Sequence, residues 1–177
     1  MRERKVSKMK NKFKPAYKMP FKRRREGKTD YSRRLKLVEG KKSRVVVRKS
    51  LKYIYVSIVQ FDMKGDKTIA TASSRELKKH GWTAATDNLP AAYLTGMIAA
   101  KKALKAGVKE AILDSGLYQT TKGSRVFAAV KGVIDAKLNV PVSEEVLPSE
   151  ERIRGAHIQT KQGKNVASEF EKIKSKL

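Results

Sequence analysis

Ser43-Arg44-Val45-Val46-Val47-Arg48-Lys49-Ser50-Leu51-Lys52-Tyr53-Ile54-Tyr55-Val56-Ser57-Ile58-Val59-Gln60-Phe61 is the stretch on which the fold turns. β-Branched and aromatic residues fill both halves, Ser43 to Lys49 and Lys52 to Phe61, and Lys49-Ser50-Leu51 is short enough for a tight connection. The stretch therefore reads as a β-hairpin. Successive strand side chains point to opposite faces, so Val45, Val47, Ile54, Val56 and Ile58 share one face while Arg44, Arg48, Tyr53, Tyr55 and Ser57 share the other. The first is a candidate core face and the second a candidate platform for an anionic polymer. The competing reading is that a second layer covers the tyrosines, because strands often carry Tyr for packing alone.

Downstream, a turn at Asp62-Met63-Lys64-Gly65-Asp66 leads to a third strand, Thr68 to Ala72, and short connections imply an antiparallel meander. Ser74 opens a short helix ended by Gly81. Asn88 and Pro90 open a longer helix, Ala91 to Ala106, stopped by Gly107, with Tyr93, Leu94, Met97, Ile98, Lys101 and Leu104 at helical spacing. Glu110 to Asp114 is a brief buried strand. Ser124 to Leu138 is a further helix, with Val126, Phe127, Val130, Val133, Ile134 and Leu138 apolar and Asn139 as its C-terminal cap. A strand reached through a helix runs parallel to a neighbour. The expected class is α/β: a three-stranded antiparallel meander plus a parallel strand reached by a helical crossover, helices packed on the sheet, and an extended basic N-terminal arm.

Upstream, Thr29 caps a helix through Glu39 in which Tyr31, Leu35 and Val38 form an apolar stripe, Gly40 supplies a left-handed stop, and Arg33, Arg34 and Lys36 take the wet side. Met1 to Lys28, with Pro15, Pro20 and Gly27, has no apolar period and reads as an extended arm. Beyond Pro141 the chain turns irregular and acidic at Glu144, Glu145, Glu150 and Glu151, a solvated segment or a dock for a basic neighbour without the spacing of a calcium loop. From Gln159 it reads as a polar tail with modest helical spacing at Val166, Phe170 and Ile173. Three parts follow: arm 1–28, α/β domain 29–158 and tail 159–177.

The 177 residues carry 42 Lys+Arg against 17 Asp+Glu, a formal charge of +25, and residues 1–49 hold 21 of those cations with only four acids. Such an excess calls for a polyanionic partner. Nucleic acid is favoured over a membrane, because no stretch approaches the roughly 20 apolar residues of a spanning helix. Met1-Arg2-Glu3-Arg4-Lys5 leads into more lysines, not into the apolar region of a secretory signal, and a cytoplasmic location is expected. Without cysteine, disulfides, thiolate nucleophiles and Cys-based zinc sites are excluded.

Lys22-Arg23-Arg24-Arg25 lies near Tyr17, Phe21 and Tyr31, cations interleaved with rings that can neutralise phosphates and stack on unpaired bases. The plain alternative is a solubilising tail or a localisation signal. Gly116 and Lys122-Gly123-Ser124-Arg125 open a helix after a buried strand, where backbone N–H groups can meet phosphate, or where Ser124 is an ordinary cap. The order of a Walker loop is absent. His80 and His157 are far apart and fit no zinc or nucleophile pattern, and Trp82 reads as a plug at the core margin more than as a stacking residue. No catalytic set, metal or cofactor is expected.

Tyr17-Lys18-Met19-Pro20, Arg23-Arg24-Arg25-Glu26-Gly27-Lys28-Thr29-Asp30-Tyr31 and Arg33 with Leu35-Lys36-Leu37 resemble the start of the archaeal large-subunit ribosomal protein eighteen family. The likeness continues through Val47-Arg48-Lys49-Ser50, Gly65-Asp66-Lys67-Thr68, Glu76-Leu77-Lys78-Lys79, Pro90-Ala91-Ala92-Tyr93-Leu94-Thr95-Gly96, Gly123-Ser124-Arg125-Val126-Phe127-Ala128-Ala129 and Glu151-Arg152-Ile153-Arg154-Gly155. Leu51 and Tyr53 depart from it, standing where the family pattern has a polar residue and a histidine. The resemblance implies a mixed-sheet α/β core, attachment of 5S rRNA to the central protuberance, contact with 23S rRNA through the basic arm, and neighbouring large-subunit ribosomal proteins as further partners, with no small-molecule substrate. Together with the residue reading it gives an expected contact set of Lys18, Lys22, Arg23, Arg24, Arg25, Lys28, Tyr31, Arg33, Arg34, Arg44, Arg48, Ser50, Lys52, Tyr53, Tyr55, Lys122 and Arg125.

Overall fold

Alternation in the central hairpin translates directly into structure: Val45, Val47, Ile54, Val56 and Ile58 are all fully buried on one face. Each such side chain contributes about 1.5–3 kcal/mol relative to exposure, so this face alone anchors the sheet. A computed structural model describes residues 18–158 and 166–177. In chain order it contains α1 (Lys22–Arg25), α2 (Tyr31–Glu39), β1 (Ser43–Lys49), β2 (Ile54–Gln60), β3 (Lys67–Ser73), a 3-10 turn (Ser74–His80), α3 (Leu89–Lys105), β4 (Ala111–Asp114), α4 (Arg125–Asp135), a second 3-10 turn (Glu144–Val146), α5 (Glu150–Arg154) and α6 (Val166–Lys176).

The strands form one sheet in the order β3-β2-β1-β4. β1 pairs antiparallel with β2, β2 antiparallel with β3, and β1 parallel with β4, as the meander and the helical crossover imply. α3 and α4 cover the apolar face. α3 is buried over most of its length because it is enclosed by β2 and β3, by α4, and by α5 and α6. α3 and α4 cross where two glycines meet backbone: a Cβ on Gly96 would lie 2.0 Å from the Ala129 carbonyl oxygen, and one on Gly132 would lie 2.1 Å from that of Tyr93. Only residues without a Cβ permit this approach.

Several boundaries differ from the sequence reading, each for a local reason. Asp30, not Thr29, caps α2, because its carboxylate accepts from both the Ser32 and Arg33 N–H groups at 3.1 Å. Gly40 stays right-handed at φ −69°, and Lys41 takes the left-handed turn at φ 50°. β2 starts at Ile54, because Ser50 Oγ accepts the Tyr53 N–H and donates to the Tyr53 carbonyl, closing a four-residue loop. α4 stops at Asp135, Lys137 turns at φ 70°, and Asn139 pairs with Glu110 in a parallel bridge in place of capping a helix. Trp82 is buried and its indole N–H donates to the Ala85 carbonyl at 3.0 Å, so its place is the core margin.

The arm and the tail also read differently. Met1 to Tyr17, with Pro15, and the tail's start at Gln159 lie outside the described residues; within the arm, Lys22–Arg25 makes one helical turn where an extended course was expected. In the region expected to be irregular, Ser149 precedes α5 and Gly155 ends it in the left-handed conformation. The segment expected to be a polar tail includes α6, with Val166, Phe170 and Ile173 buried and the Phe170 ring 5.4 Å from that of Tyr93. The Tyr93 hydroxyl donates to Asp135 at 2.7 Å, and burial followed by this bond pushes its ionisation well above the ordinary tyrosine range. Weak periodicity at three positions thus sufficed for docking, because α3 is buried on every side from Pro90 to Ala100.

Candidate nucleic-acid interface

The opposite face of the sheet is built on charge. Pairing in β1 and β2 sets Arg44 beside Val59 and Arg48 beside Tyr55, and the parallel register brings Asp114 of β4 beside Val46. Arg44 is 3% exposed; its guanidinium donates to Asp114 at 2.9 Å and to Asp66 at 2.7 Å, leaving Nε buried without a partner. Arg48 donates to the Asp114 carbonyl at 2.8 Å and to its carboxylate at 3.2 Å. Gly116, at φ 64°, lies so close to Arg48 that a Cβ there would meet the guanidinium carbon at 2.9 Å. Removing one partner of such a buried pair costs far more than the pair contributes net, because a charge is left without compensation.

α2 lies against this network through its arginines. Arg33 donates to the Gly116 carbonyl at 3.0 Å, Arg34 to Asp66 at 2.9 Å, and Leu37 borders the cleft of about 330 Å³ that separates helix from sheet. None of its residues is buried. The expected orientation holds only in part: Lys36 is exposed and Tyr31 and Val38 are half-buried, but Arg33 and Arg34, assigned to the wet side, reach the sheet, while Leu35 is 60% exposed. The cause is the paired carboxylates, which offer the arginines a better environment than the polar face offers the apolar stripe. The competing reading, that a second layer covers the tyrosines, fails for Tyr55, which stays exposed, while Tyr53 is half-buried; on this face it is Arg44 and Val59 that are buried.

Exposed with Leu35 is Phe21, whose ring meets that of the half-buried Tyr31 at 5.3 Å with a 54° tilt. Around them Lys22, Arg24, Arg25 and Lys36 are exposed and carry no ion pair among the described residues. Lys18 is likewise exposed. Arg23 donates to Thr29 Oγ1 at 2.9 Å and Lys28 pairs with Glu26 at 2.9 Å, both at the surface. At the far end of the hairpin Lys52 is exposed beside the half-buried Tyr53, and Lys49 lies over the ring of Tyr118 at 5.2 Å.

Other members of the expected set serve the framework. Arg44 is the clearest correction, because its burial and its two carboxylates leave it no path to a phosphate. Ser50 closes the hairpin loop. Arg125 donates to the carbonyl and carboxylate of Asp87, tying the starts of α3 and α4 together. Lys122 remains largely exposed, 3.7 Å from Glu145. The structure thus brings the arm, α2 and the outer sheet face together, and sets Lys122 and Arg125 apart on the loop before α4.

A family model described as ribosomal large subunit proteins 60S L5, and 50S L18 matches residues 15–110 and 105–143. The chain belongs to this family. Members similar to it include large ribosomal subunit protein uL18 of Korarchaeum cryptofilum, 58% identical over 142 residues that make up 80% of this chain and 73% of that protein. The uL18 protein of Methanothrix thermoacetophila is 48% identical over 163 residues, 92% of this chain and 96% of the relative. As a large-subunit ribosomal protein, the chain owes its charge excess to a setting rich in RNA.

Asp66 and Asp114 are the functional residues that sequence reasoning missed, and Gly116, expected to offer its N–H to phosphate, instead donates it to the Asp114 carboxylate at 2.9 Å and accepts from Arg33. Asp66 reads as a turn residue and Asp114 as the end of a strand, and neither marks itself as a partner for arginine. The available signal was parity: once β4 is placed beside β1 in parallel, alternation puts Asp114 on the face of Arg44 and Arg48. That register has no mark in the sequence.

Proposed function

We propose that this protein is a structural constituent of the large ribosomal subunit that binds 5S rRNA and helps attach it to 23S rRNA at the central protuberance, beside neighbouring large-subunit proteins in the cytoplasm. Its role is to position RNA and not to catalyse. The observation that carries this reading is the group of exposed cations without an ion pair among the described residues, Lys22, Arg24, Arg25 and Lys36, on the two helices that carry the exposed ring of Phe21 and the half-buried ring of Tyr31. Cations of this kind neutralise phosphates, and rings beside them accept unpaired bases or sugars.

In this reading Lys18, Lys22, Arg23, Arg24, Arg25, Lys28, Lys52 and Lys122 contact phosphate, while Tyr31, Tyr53 and Tyr55 support ring or sugar contacts. Arg33, Arg34, Arg44 and Arg48 hold α2 at the angle that presents them. Phosphate contacts fix position, and shape with the 2′-hydroxyl distinguishes RNA from DNA. Competition between labelled 5S rRNA and duplex DNA of equal length tests this: 5S rRNA displaces itself far better than DNA does. Equal displacement by the two would mean an unspecific polyanion binder.

A further inference from the structure

The end of the sheet away from the Lys49–Tyr53 loop holds a further set of cations, next to the Asp66 anchor of α2. β1 and β4 begin there, and the β2–β3 and α3–β4 connections meet. Lys41, Lys42 and Lys109 line one hollow of about 360 Å³ together with Gln60, and Gln60 also borders a second of about 360 Å³ lined by Phe61, Met63 and Lys67. Lys41, Lys67 and Lys109 are exposed and carry no ion pair among the described residues, whereas Lys42 pairs with Glu110 at 2.9 Å. The other acid lining these hollows is Asp62, whose carboxylate accepts the Lys64 N–H of its own turn. Met63 is 95% exposed and Phe61 45%.

Helix capping does not account for these lysines. The last carbonyls of α3 already accept from the Ala106, Gly107 and Val108 N–H groups, and Lys41 and Lys67 come from other segments. Core packing explains neither Phe61 nor Met63, since both project from the turn.

We propose that this end of the sheet is a second polynucleotide surface, which takes the phosphate backbone of a different rRNA segment from the one on the outer face, with Phe61 and Met63 against its sugars or an unpaired base. It rests on the rRNA-binding function proposed above and adds where the second RNA sits. β1, seven residues and about 20 Å long, separates this end from Lys52 and Tyr53 at the hairpin loop.

The test uses the full chain, labelled 5S rRNA and protein-free 23S rRNA, with complexes separated on a gradient. The variant Lys41→Glu/Lys67→Glu/Lys109→Glu is compared with Arg152→Glu/Lys172→Glu/Lys176→Glu, an equal charge change on α5 and α6. The first keeps 5S rRNA affinity within about threefold of the second, since distant exposed charges are screened. It loses co-retention of 23S rRNA by about tenfold or more, as expected when three phosphate contacts reverse sign. Phe61→Ala/Met63→Ala, at unchanged charge, weakens the same step about fivefold. Equal bridging by both triple variants overturns the second surface alone, and simultaneous loss of both RNAs overturns its separateness. Unchanged bridging with lost docking of a ribosomal protein assigns this end to an acidic protein and overturns it as well. A wild-type protein that retains neither RNA refutes the function proposed above instead.

Discussion

The two faces of one sheet are held by opposite means. On the inner face, Val45, Val47, Ile54, Val56 and Ile58 are fully buried beneath α3 and α4, and the helices cross at Gly96 and Gly132. On the outer face a helix of similar amphipathicity is kept in place by guanidinium groups and two aspartates. Apolar burial is non-directional and tolerates small changes of angle, whereas hydrogen-bonded ion pairs fix an orientation. A face that must present cations and rings at a set angle gains from the second device, while its apolar residues stay free for a partner.

If that contrast is right, Asp114→Ala has the largest effect, about 3 kcal/mol or more of unfolding free energy in urea, because Arg44 stays buried with one carboxylate fewer. A loss below about 1 kcal/mol would mean that the outer face is a loosely solvated surface and would erase the contrast. Gly96→Ala probes the inner face and costs about 1–3 kcal/mol, since a rigid carbonyl stands where the methyl must go. Unchanged affinity for 5S rRNA in the folded fraction separates this core defect from an interface defect.

Arg33→Ala/Arg34→Ala sharpens the comparison from the other side. Partly exposed pairs contribute roughly 0.2–1 kcal/mol each, so global stability barely moves. Amide exchange in α2 nevertheless rises strongly while that of α3 does not, and RNA affinity falls. Equal protection of α2 in both proteins would show that other contacts hold it.

The smallest effect concerns the capping box at Ser73. Burial alone would push the Glu76 carboxyl up, but hydrogen bonds from Lys102 and the Ser73 N–H and the charges of Lys102 and Lys79 hold it below the ordinary glutamate range. A carboxyl lowered in the folded state adds stability that is complete above the unfolded value and is lost as pH falls through the folded one. Acid unfolding should show a step below about pH 4.3 that Glu76→Gln lacks. An identical acid profile for the variant would leave Glu76 no share in it.

The inner face was legible because period-2 alternation and helical spacing both derive from burial, the strongest patterning force in a sequence. The meander, the crossover and the parallel β4 followed from connection length. The outer face was legible in composition and not in arrangement: Arg34, Arg44 and Arg48 read as free cations because their carboxylates, Asp66 and Asp114, lie 22 to 70 residues away, and Arg33 because its acceptor, the Gly116 carbonyl, lies 83 residues away. The turn of Arg33 and Arg34 towards the sheet was misread for the same cause. α6 was underread because three apolar positions gain their meaning only against Tyr93 and its neighbours.

The central claim is that unpaired cations on the arm and α2 bind ribosomal RNA through its phosphates, and the salt dependence of 5S rRNA binding tests it most directly. With about six to ten phosphates neutralised, affinity should fall about a thousandfold or more between about 50 and 200 mM salt. Lys22→Gln/Arg24→Gln/Arg25→Gln/Lys36→Gln should lower the slope of log affinity against log salt by about 3 to 4. Binding that is indifferent to salt, or a slope unaltered in the fourfold variant, would contradict the account.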